Sequence, residues 1–147
     1  MVEIQFADSK SGKETCIANG IRLHSAYDPV KEADRFVGTL AFDFNPSMVI
    51  VTEPALSYCS QFLRKRFPKA LLVAIRFTEQ FDQYNYLWDK TFHYSQIHQI
   101  LSIYGEDMVL SAGFISWQPA QQVFPDAHNQ CWEMIKNLVQ TSRDILG

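Results

Sequence analysis

Two uninterrupted apolar segments constrain the fold of this chain more than any other feature. Residues 48–51 and 70–77 lack the alternation of polar and apolar side chains that a strand with one solvent face would show. Strands buried on both faces are typical of parallel sheets. Between them, residues 56–67 carry apolar side chains at helical spacing, and Pro68 ends that pattern. The sequence therefore predicts a strand, helix and strand crossover unit over residues 48–77.

The segments before this unit predict a hairpin and a helix. Apolar and polar residues alternate over 2–23, with a turn-forming stretch of Ser, Lys and Gly at 9–13. Asp28 and Pro29 then predict the start of a helix that runs to about Leu40, because Asp is a good N-cap and Pro suits the first helical position.

The segments after the unit are more mixed. Residues 78–94 are rich in aromatic side chains, and their pattern leaves an irregular helix and a loop as alternatives. The remaining predicted elements are a helix capped by Ser95 and ended by Gly105, extended segments at 108–110 and 113–117, and a last helix from Asp126.

This order of elements predicts an α/β fold. The expected form is a three-layer Rossmann-like domain with a partly parallel central sheet and the N-terminal β-hairpin at one edge of that sheet. The length of 147 residues fits a single domain over 1–147, and apolar residues make up 47% of the chain, enough for a substantial core.

Charge and cysteine content exclude several classes of protein. Thirteen Lys and Arg against 16 Asp and Glu give a net charge of -3, which disfavours a nucleic-acid partner. No apolar run is long enough for a membrane helix, so no membrane partner is expected. Cys16, Cys59 and Cys131 form no paired motif, which predicts reduced thiols in a cytoplasmic protein.

The loop after the first buried strand is the first place to search for a ligand site, since ligands of open α/β sheets bind beyond the carboxyl ends of the strands. No glycine lies between residues 39 and 104, and Glu53 would repel a phosphate, so the dinucleotide fingerprint is absent. We expect Glu53 to be a solvated charge near a helix start and Ser57 to cap that helix. A nucleotide-binding or transferase site using residues 53–58 remains the alternative.

A polar cluster between the hairpin and the first helix allows two interpretations. In the structural one, Asp28 caps the helix while the other side chains satisfy loop backbone groups. In the functional one, the cluster binds a small anion or a partner loop near the helix N-terminus. The structural interpretation explains more of the pattern. The cluster comprises His24, Ser25, Tyr27, Asp28, Lys31 and Glu32.

No catalytic residue, metal site or cofactor is expected. The four histidines lie in different elements and lack metal-ligand spacing. Cys59 lies on the apolar face of its helix without a histidine partner, which favours a buried, inert thiol. The basic run at residues 64–66 is typical of a solvated helix end.

Two segments resemble a known family. The stretch LHSAYDPVKEADRF at 23–36, followed by ALSYCSQFLRKRFPKALLVAI at 55–75, is similar to the N-terminal domain of the motility accessory factor (Maf) family of flagellin glycosyltransferases. The resemblance is strong over 23–75 and loose over 78–147, and the chain has Pro54, Ala55 and Ser57 where the family tends to have glycines. The matching positions are His24, Ser25, Tyr27, Asp28, Pro29, Glu32 and Ala33 in the first stretch, and Leu56, Tyr58, Phe67 and Pro68 in the second.

The resemblance implies a function that composition and spacing do not. In the family, transfer of a nonulosonic acid from a nucleotide donor to flagellin is assigned to a central domain that follows this one, and no such domain is recognisable in residues 1–147. The chain is then expected to be a non-catalytic accessory or docking domain. Its expected partners are the catalytic domain of the same polypeptide or of a related protein, flagellin, or a second copy of itself.

Overall fold

The computed structural model describes all residues, 1–147, as an α/β fold. The seven strands are β1 (Ile4–Asp8), β2 (Glu14–Ala18), β3 (Ile21–Arg22), β4 (Met48–Thr52), β5 (Leu71–Arg76), β6 (Lys90–His93) and β7 (Ala112–Ser116). The five helices are α1 (Pro29–Gly38), α2 (Cys59–Arg66), α3 (His98–Leu110), α4 (Gln118–Val123) and α5 (Pro125–Leu146), with 3₁₀ segments at Glu79–Leu87 and Tyr94–Gln96.

The central sheet has the strand order β6-β5-β4-β7 and is parallel throughout. In the middle of the sheet, Ile50 of β4 lies opposite Val73 of β5 and Phe114 of β7. All five residues of β4 are buried, as expected for an inner strand covered on both faces. The crossover unit predicted from the two apolar segments is therefore confirmed, as is the three-layer fold class.

Helices cover the two faces of this sheet. On one face, Val49 and Val51 pack with Ala33 of α1 and Leu63 of α2. On the other face, Ile50 packs in one cluster with residues of α3 and α5, including Ile100 of α3 and Ile135 of α5. Successive residues of β4 thus point to opposite helical layers, which explains why its sequence has no polar face.

The N-terminal strands form a second, antiparallel sheet with the order β1-β2-β3. The predicted hairpin is confirmed, but its expected place at an edge of the central sheet was wrong. It packs instead against the loops beyond the carboxyl ends of the parallel strands, in a cluster that joins Leu23 and Cys16 to Leu56, Phe81 and Trp117. The small sheet buries the apolar side chains of these loops, which would otherwise be exposed to solvent.

Other element predictions were wrong in detail. Ser95 does not cap α3; its hydroxyl hydrogen-bonds the ring of His93 within the short 3₁₀ segment. Gly105 does interrupt the helix, with φ 85°, but the chain resumes helical geometry, so residues 108–110 are helical rather than extended. The ambiguous segment 78–94 contains a 3₁₀ helix and the edge strand β6.

Candidate functional site

The strand order places a topological switch point between β4 and β7. The chain proceeds from β4 to β5 and β6 on one side, and β7 then pairs on the other side of β4. Ligands of open α/β sheets bind at such a point, between the loops that leave the two strands. Here those loops are residues 53–58, which follow β4, and Trp117, which follows β7.

Side chains of the chain itself occupy this crevice. The His24 ring stacks on Trp117 at a centroid distance of 5.3 Å, and the Trp117 indole donates a hydrogen bond to the Leu23 carbonyl at 2.9 Å. Nε2 of His24 accepts from the backbone N–H of Leu56 at 3.0 Å. His24, Leu56 and Trp117 are all buried. The switch point is thus filled by the segment that joins β3 to α1.

The loop after β4 adopts an unusual backbone. Glu53, Ala55 and Ser57 have φ values of 37°, 51° and 67°, a region that glycine occupies readily and other residues rarely do. Each such residue costs of order 1 to 3 kcal/mol unless its surroundings hold it. Glycines, which the resemblance leads one to expect in this loop, would adopt this backbone freely.

A buried ion pair holds the loop in this conformation. Arg76, on the neighbouring strand β5, donates to Glu53 Oε2 at 2.9 Å and to the Ala55 carbonyl at 3.0 Å. The Glu53 carboxylate also accepts from the backbone N–H groups of Ala55, Phe77 and Thr78. Both charged side chains are almost fully inaccessible to solvent. The prediction that Glu53 is a solvated charge was therefore wrong.

Two effects act in opposite directions on the Glu53 carboxyl. Complete burial raises its pKa above the ordinary value, while the Arg76 guanidinium and the backbone N–H groups lower it. All of its hydrogen-bond partners are N–H donors, an arrangement that suits the ionised carboxylate. The carboxylate makes all of its hydrogen bonds within the protein and is not accessible to solvent.

Ser57 belongs to the same network and is not a helix cap. Its hydroxyl donates to the Ala55 carbonyl, and it accepts from the Trp88 indole at 2.9 Å and from Arg76 at 3.2 Å. Helix α2 begins after Tyr58 without a side-chain cap. Because the Ser57 hydroxyl accepts from Trp88 and Arg76, it stabilises the loop rather than the start of the helix.

The residues of the 24–32 cluster divide into two groups. Asp28 caps α1, since its Oδ1 accepts from the Lys31 backbone N–H at 3.0 Å, and the Ser25 hydroxyl accepts from the N–H groups of Tyr27 and Asp28. These observations confirm the predicted cap. The Tyr27 side chain is 66% exposed, whereas His24 is only 2% exposed. The cluster therefore does not present its donors and acceptors on one surface.

His24 joins the two segments that carry the family resemblance. Its Nε2 accepts from Leu56 N–H, so the neutral ring carries its proton on Nδ1, which lies 3.7 Å from Glu32 Oε1. That same carboxylate oxygen accepts from Ser25 N–H at 2.9 Å. Burial lowers the pKa of His24, while Glu32 opposes the shift. His24 thus binds the loop at 53–58 directly, while Glu32 and Ser25 lie on the other side of its ring.

Tyr58 connects the loop to the antiparallel sheet. Its hydroxyl donates to the backbone carbonyl of Glu14, and the hydroxyl of Tyr84 bonds the Glu14 carboxylate. Burial and the nearby acidic charge raise the pKa of both phenols. Both tyrosines therefore remain neutral donors over the physiological range, which suits a structural link between the two sheets.

No constellation for acid–base, nucleophilic or metal chemistry assembles at this end of the sheet. Burial raises the pKa of Cys59 to about 12, which keeps its thiol protonated and inert at neutral pH. No group of three or more His, Cys, Asp or Glu residues is placed to hold a metal ion. Among the basic residues at 64–66, Arg66 bonds the Val37 carbonyl near the end of α1, so this run is more than a solvated face.

Sequence reasoning missed three residues that build the site: Arg76, Trp88 and Trp117. Trp88 and Trp117 carried no local signal. Arg76 carried one, because it is a charged residue at the end of an apolar strand and Glu53 follows the neighbouring strand. Carboxyl ends of parallel strands lie at one edge of a sheet, so such a pair could have been predicted to meet.

A scan against protein-family models, curated proteins and solved structures found no match to this chain. No helix combines the length and apolar character needed to cross a bilayer.

Proposed function

We propose that this chain is a non-catalytic accessory domain that docks other components of a Maf-type flagellin glycosylation protein. The observation that carries the proposal is the closed crevice at the switch point, where His24, Leu56 and Trp117 occupy the position in which an α/β sheet holds a ligand. The resemblance over residues 23–75 supplies the biological context, including a cytoplasmic location and the catalytic domain or flagellin as partners.

The buried ion pair supports the same proposal. Glu53 lies where the phosphates of a nucleotide would approach, and its charge is already matched by Arg76. An incoming phosphate would have to compete with the carboxylate for the guanidinium, and breaking a buried pair is costly. The alternative, a nucleotide-binding or transferase site using residues 53–58, therefore has the weaker support.

The first experiment is direct titration of the 147-residue chain with CMP and with a CMP-linked nonulosonic acid by calorimetry. We expect no binding tighter than about 10 µM, which corresponds to roughly 7 kcal/mol. We also expect no transfer of sugar to flagellin by the chain alone. Tighter binding, or turnover, would overturn the non-catalytic assignment and restore the alternative.

A second experiment addresses docking. The chain is mixed with the separately expressed central domain of a Maf protein and with flagellin, and complex formation is followed by sedimentation. We expect a complex with one of them. Absence of both complexes, together with tight nucleotide binding, would replace the docking function by the enzymatic one.

A further inference from the structure

We infer that the outer edge of β7 (Ala112–Ser116) is a docking surface for an extended, basic segment of a partner protein, which would add to the parallel sheet as a fifth strand. The inference rests on the proposed docking function and identifies the surface that performs it. Three observations carry it: the unpaired backbone of the strand, the groove that runs beside it, and the charge of that groove.

The first observation is the unpaired backbone. β7 is the terminal strand of the sheet and pairs only with β4. Trp117 N–H donates to the Thr52 carbonyl, so alternation along the strand directs the backbone of Gly113 and Ile115 toward β4. The N–H and C=O groups of Ala112, Phe114 and Ser116 therefore point away from the sheet. No other segment of the chain pairs with β7 on that side.

The two edges of the sheet differ in their protection. β6, at the opposite edge, includes Lys90. A lysine on an edge strand is a common means of preventing that edge from pairing with another chain. β7 has the sequence AGFIS, with no charged residue or proline. The β6 edge thus carries a protecting charge that the β7 edge lacks.

The second observation is a groove of about 660 Å³ beside β7. Its apolar walls would accept alternate side chains of an added strand, while the outward backbone groups of β7 bind the main chain. The Ser116 hydroxyl is buried and has no hydrogen-bond partner, so the backbone N–H and C=O groups rather than this side chain would make the polar contacts. The groove is lined by Phe36, Leu40, Phe42, Phe114, Trp117 and Gln121, among others.

The third observation is the charge of the groove. Glu32 is the one ionisable residue that lines it, and its side chain is about one-third exposed. Its Oε1 accepts from Ser25 N–H, which leaves Oε2 for an external cation. A second copy of this chain would present the same carboxylate, because a two-fold interface uses the same patch on both subunits. Charge complementarity thus favours a basic partner strand over self-association.

The test uses the 147-residue chain and a capped peptide, KTVTVTK, whose length lies within the range usual for a strand. Binding is followed by the backbone amide signals in NMR spectra and by amide hydrogen exchange. We expect the amides of Phe114 and Ser116, the half-buried residues of β7 that face outward, to shift and to become protected on titration. We expect the acidic counterpart ETVTVTE to bind about tenfold more weakly at low salt.

A proline variant isolates the contribution of the edge backbone. Ser116→Pro removes an outward N–H group while leaving the ladder to β4 intact, and proline is tolerated on edge strands. Ser116→Ala is the matched control, since it removes the hydroxyl and keeps the N–H. We expect Ser116→Pro to weaken peptide binding about tenfold or more relative to Ser116→Ala. Should Ser116→Pro fail to fold, exchange protection in the unmodified chain decides the question.

Three results would overturn the inference. One is the absence of peptide-dependent shifts at the Phe114 and Ser116 amides, and another is equal binding of the basic and acidic peptides. The third is concentration-dependent dimerisation that protects the same amides, which would assign the edge to a second copy. Each is distinct from failure of the proposed function, which is decided by nucleotide binding and sugar transfer.

Discussion

At the scale of single residues, substitutions of Asp28 can distinguish a structural role of its carboxylate from a binding role. Its Oδ1 accepts from Lys31 N–H at the start of α1 (Pro29–Gly38). We expect Asp28→Ala to lower the free energy of unfolding by about 1 kcal/mol, because an N–H group loses its partner. Asp28→Asn keeps a side-chain oxygen and should be nearly silent. The midpoint of urea unfolding measures both.

The control for this prediction is Asp34→Ala, which removes an exposed carboxylate from the same helix without removing a cap. It should change stability by less than about 0.5 kcal/mol. If Asp28→Asn destabilised the chain as much as Asp28→Ala, or left stability intact while abolishing partner binding, the negative charge itself would be required. The cap interpretation would then be wrong.

Glu53 should be the most sensitive polar position in the chain. Glu53→Gln leaves the buried Arg76 guanidinium without its counter-charge, and loss of one partner of a buried pair costs about 3 to 5 kcal/mol. Glu133→Gln breaks an exposed pair with Lys136 and should cost less than about 1 kcal/mol. Denaturant unfolding of both variants provides the comparison. Similar losses would show that the burial of Glu53 does not determine its contribution.

At the scale of elements, Gly113 determines how closely the segment after α1 can approach β7. A Cβ atom at this position would lie 2.6 Å from Cζ of Phe42, well inside contact distance. Gly113→Ala must displace the Phe42 ring, and overpacking of this kind costs about 1 to 3 kcal/mol. Gly38→Ala is the matched control, because a Cβ there meets no atom within 4 Å. Thermal unfolding followed by near-ultraviolet circular dichroism measures both.

An equal melting temperature for the two glycine variants would contradict this account, since only one of them has a crowded neighbour. The ring of Phe42 also lines the groove beside β7. Displacement of the ring in Gly113→Ala should therefore alter binding of the basic peptide, whereas Gly38→Ala should leave it unchanged.

The elements that were predicted correctly are those specified by local sequence. β4 and β5 follow from uninterrupted apolar runs, and the start of α1 follows from the Asp28 and Pro29 pair, whose capping chemistry lies within a few residues. β6 was missed because its sequence, KTFH, is too short to show the alternation of a strand. Its extended conformation depends on pairing with β5. Residues 108–110 were misassigned because the helix resumes after the break at Gly105.

The candidate site shows a different limit of sequence reasoning. Ser57 has the local signature of a helix cap, but Arg76 and Trp88, which lie 19 and 31 residues further along the chain, take up its hydroxyl. Glu53 has the local signature of a solvated charge, yet the neighbouring strand buries it. In both cases a distant residue outweighs a local preference. The carboxyl end of the sheet can be located from the sequence. Whether the crevice there is filled depends on contacts between residues that are distant in the chain.

At the scale of the whole molecule, His24 connects three parts of the fold: the antiparallel sheet that precedes it, the loop after β4, and Trp117 beyond β7. Its ring is buried and neutral, and Nε2 accepts from Leu56 N–H. Protonation at Nε2 would remove this acceptor and place a charge inside the cluster that joins the two sheets. Global stability should therefore depend on the protonation state of this one ring.

The sign of the pH dependence follows from the lowered pKa of His24. In the unfolded chain the ring takes up a proton near its ordinary pKa of about 6.5, whereas the folded chain resists protonation until a lower pH. The unfolded state then binds more protons, so the free energy of unfolding should fall as the pH falls below about 6.5. Above that pH both states hold a neutral ring, and this contribution should be constant.

The contribution of His24 is isolated by comparison with His24→Gln, whose side-chain amide oxygen can still accept from Leu56 N–H but does not titrate. Burial also lowers the pKa of His128. This residue is present in both proteins, so its contribution to the pH dependence cancels in the difference. The stability advantage of the unmodified chain over His24→Gln should be largest near pH 7 and shrink toward pH 5, by at most about 1.4 kcal/mol per pH unit. Urea unfolding across this range measures the difference. A constant difference would mean that His24 is not held neutral in the fold, and its role as the link between the loop at 53–58 and the first helix would have to be abandoned.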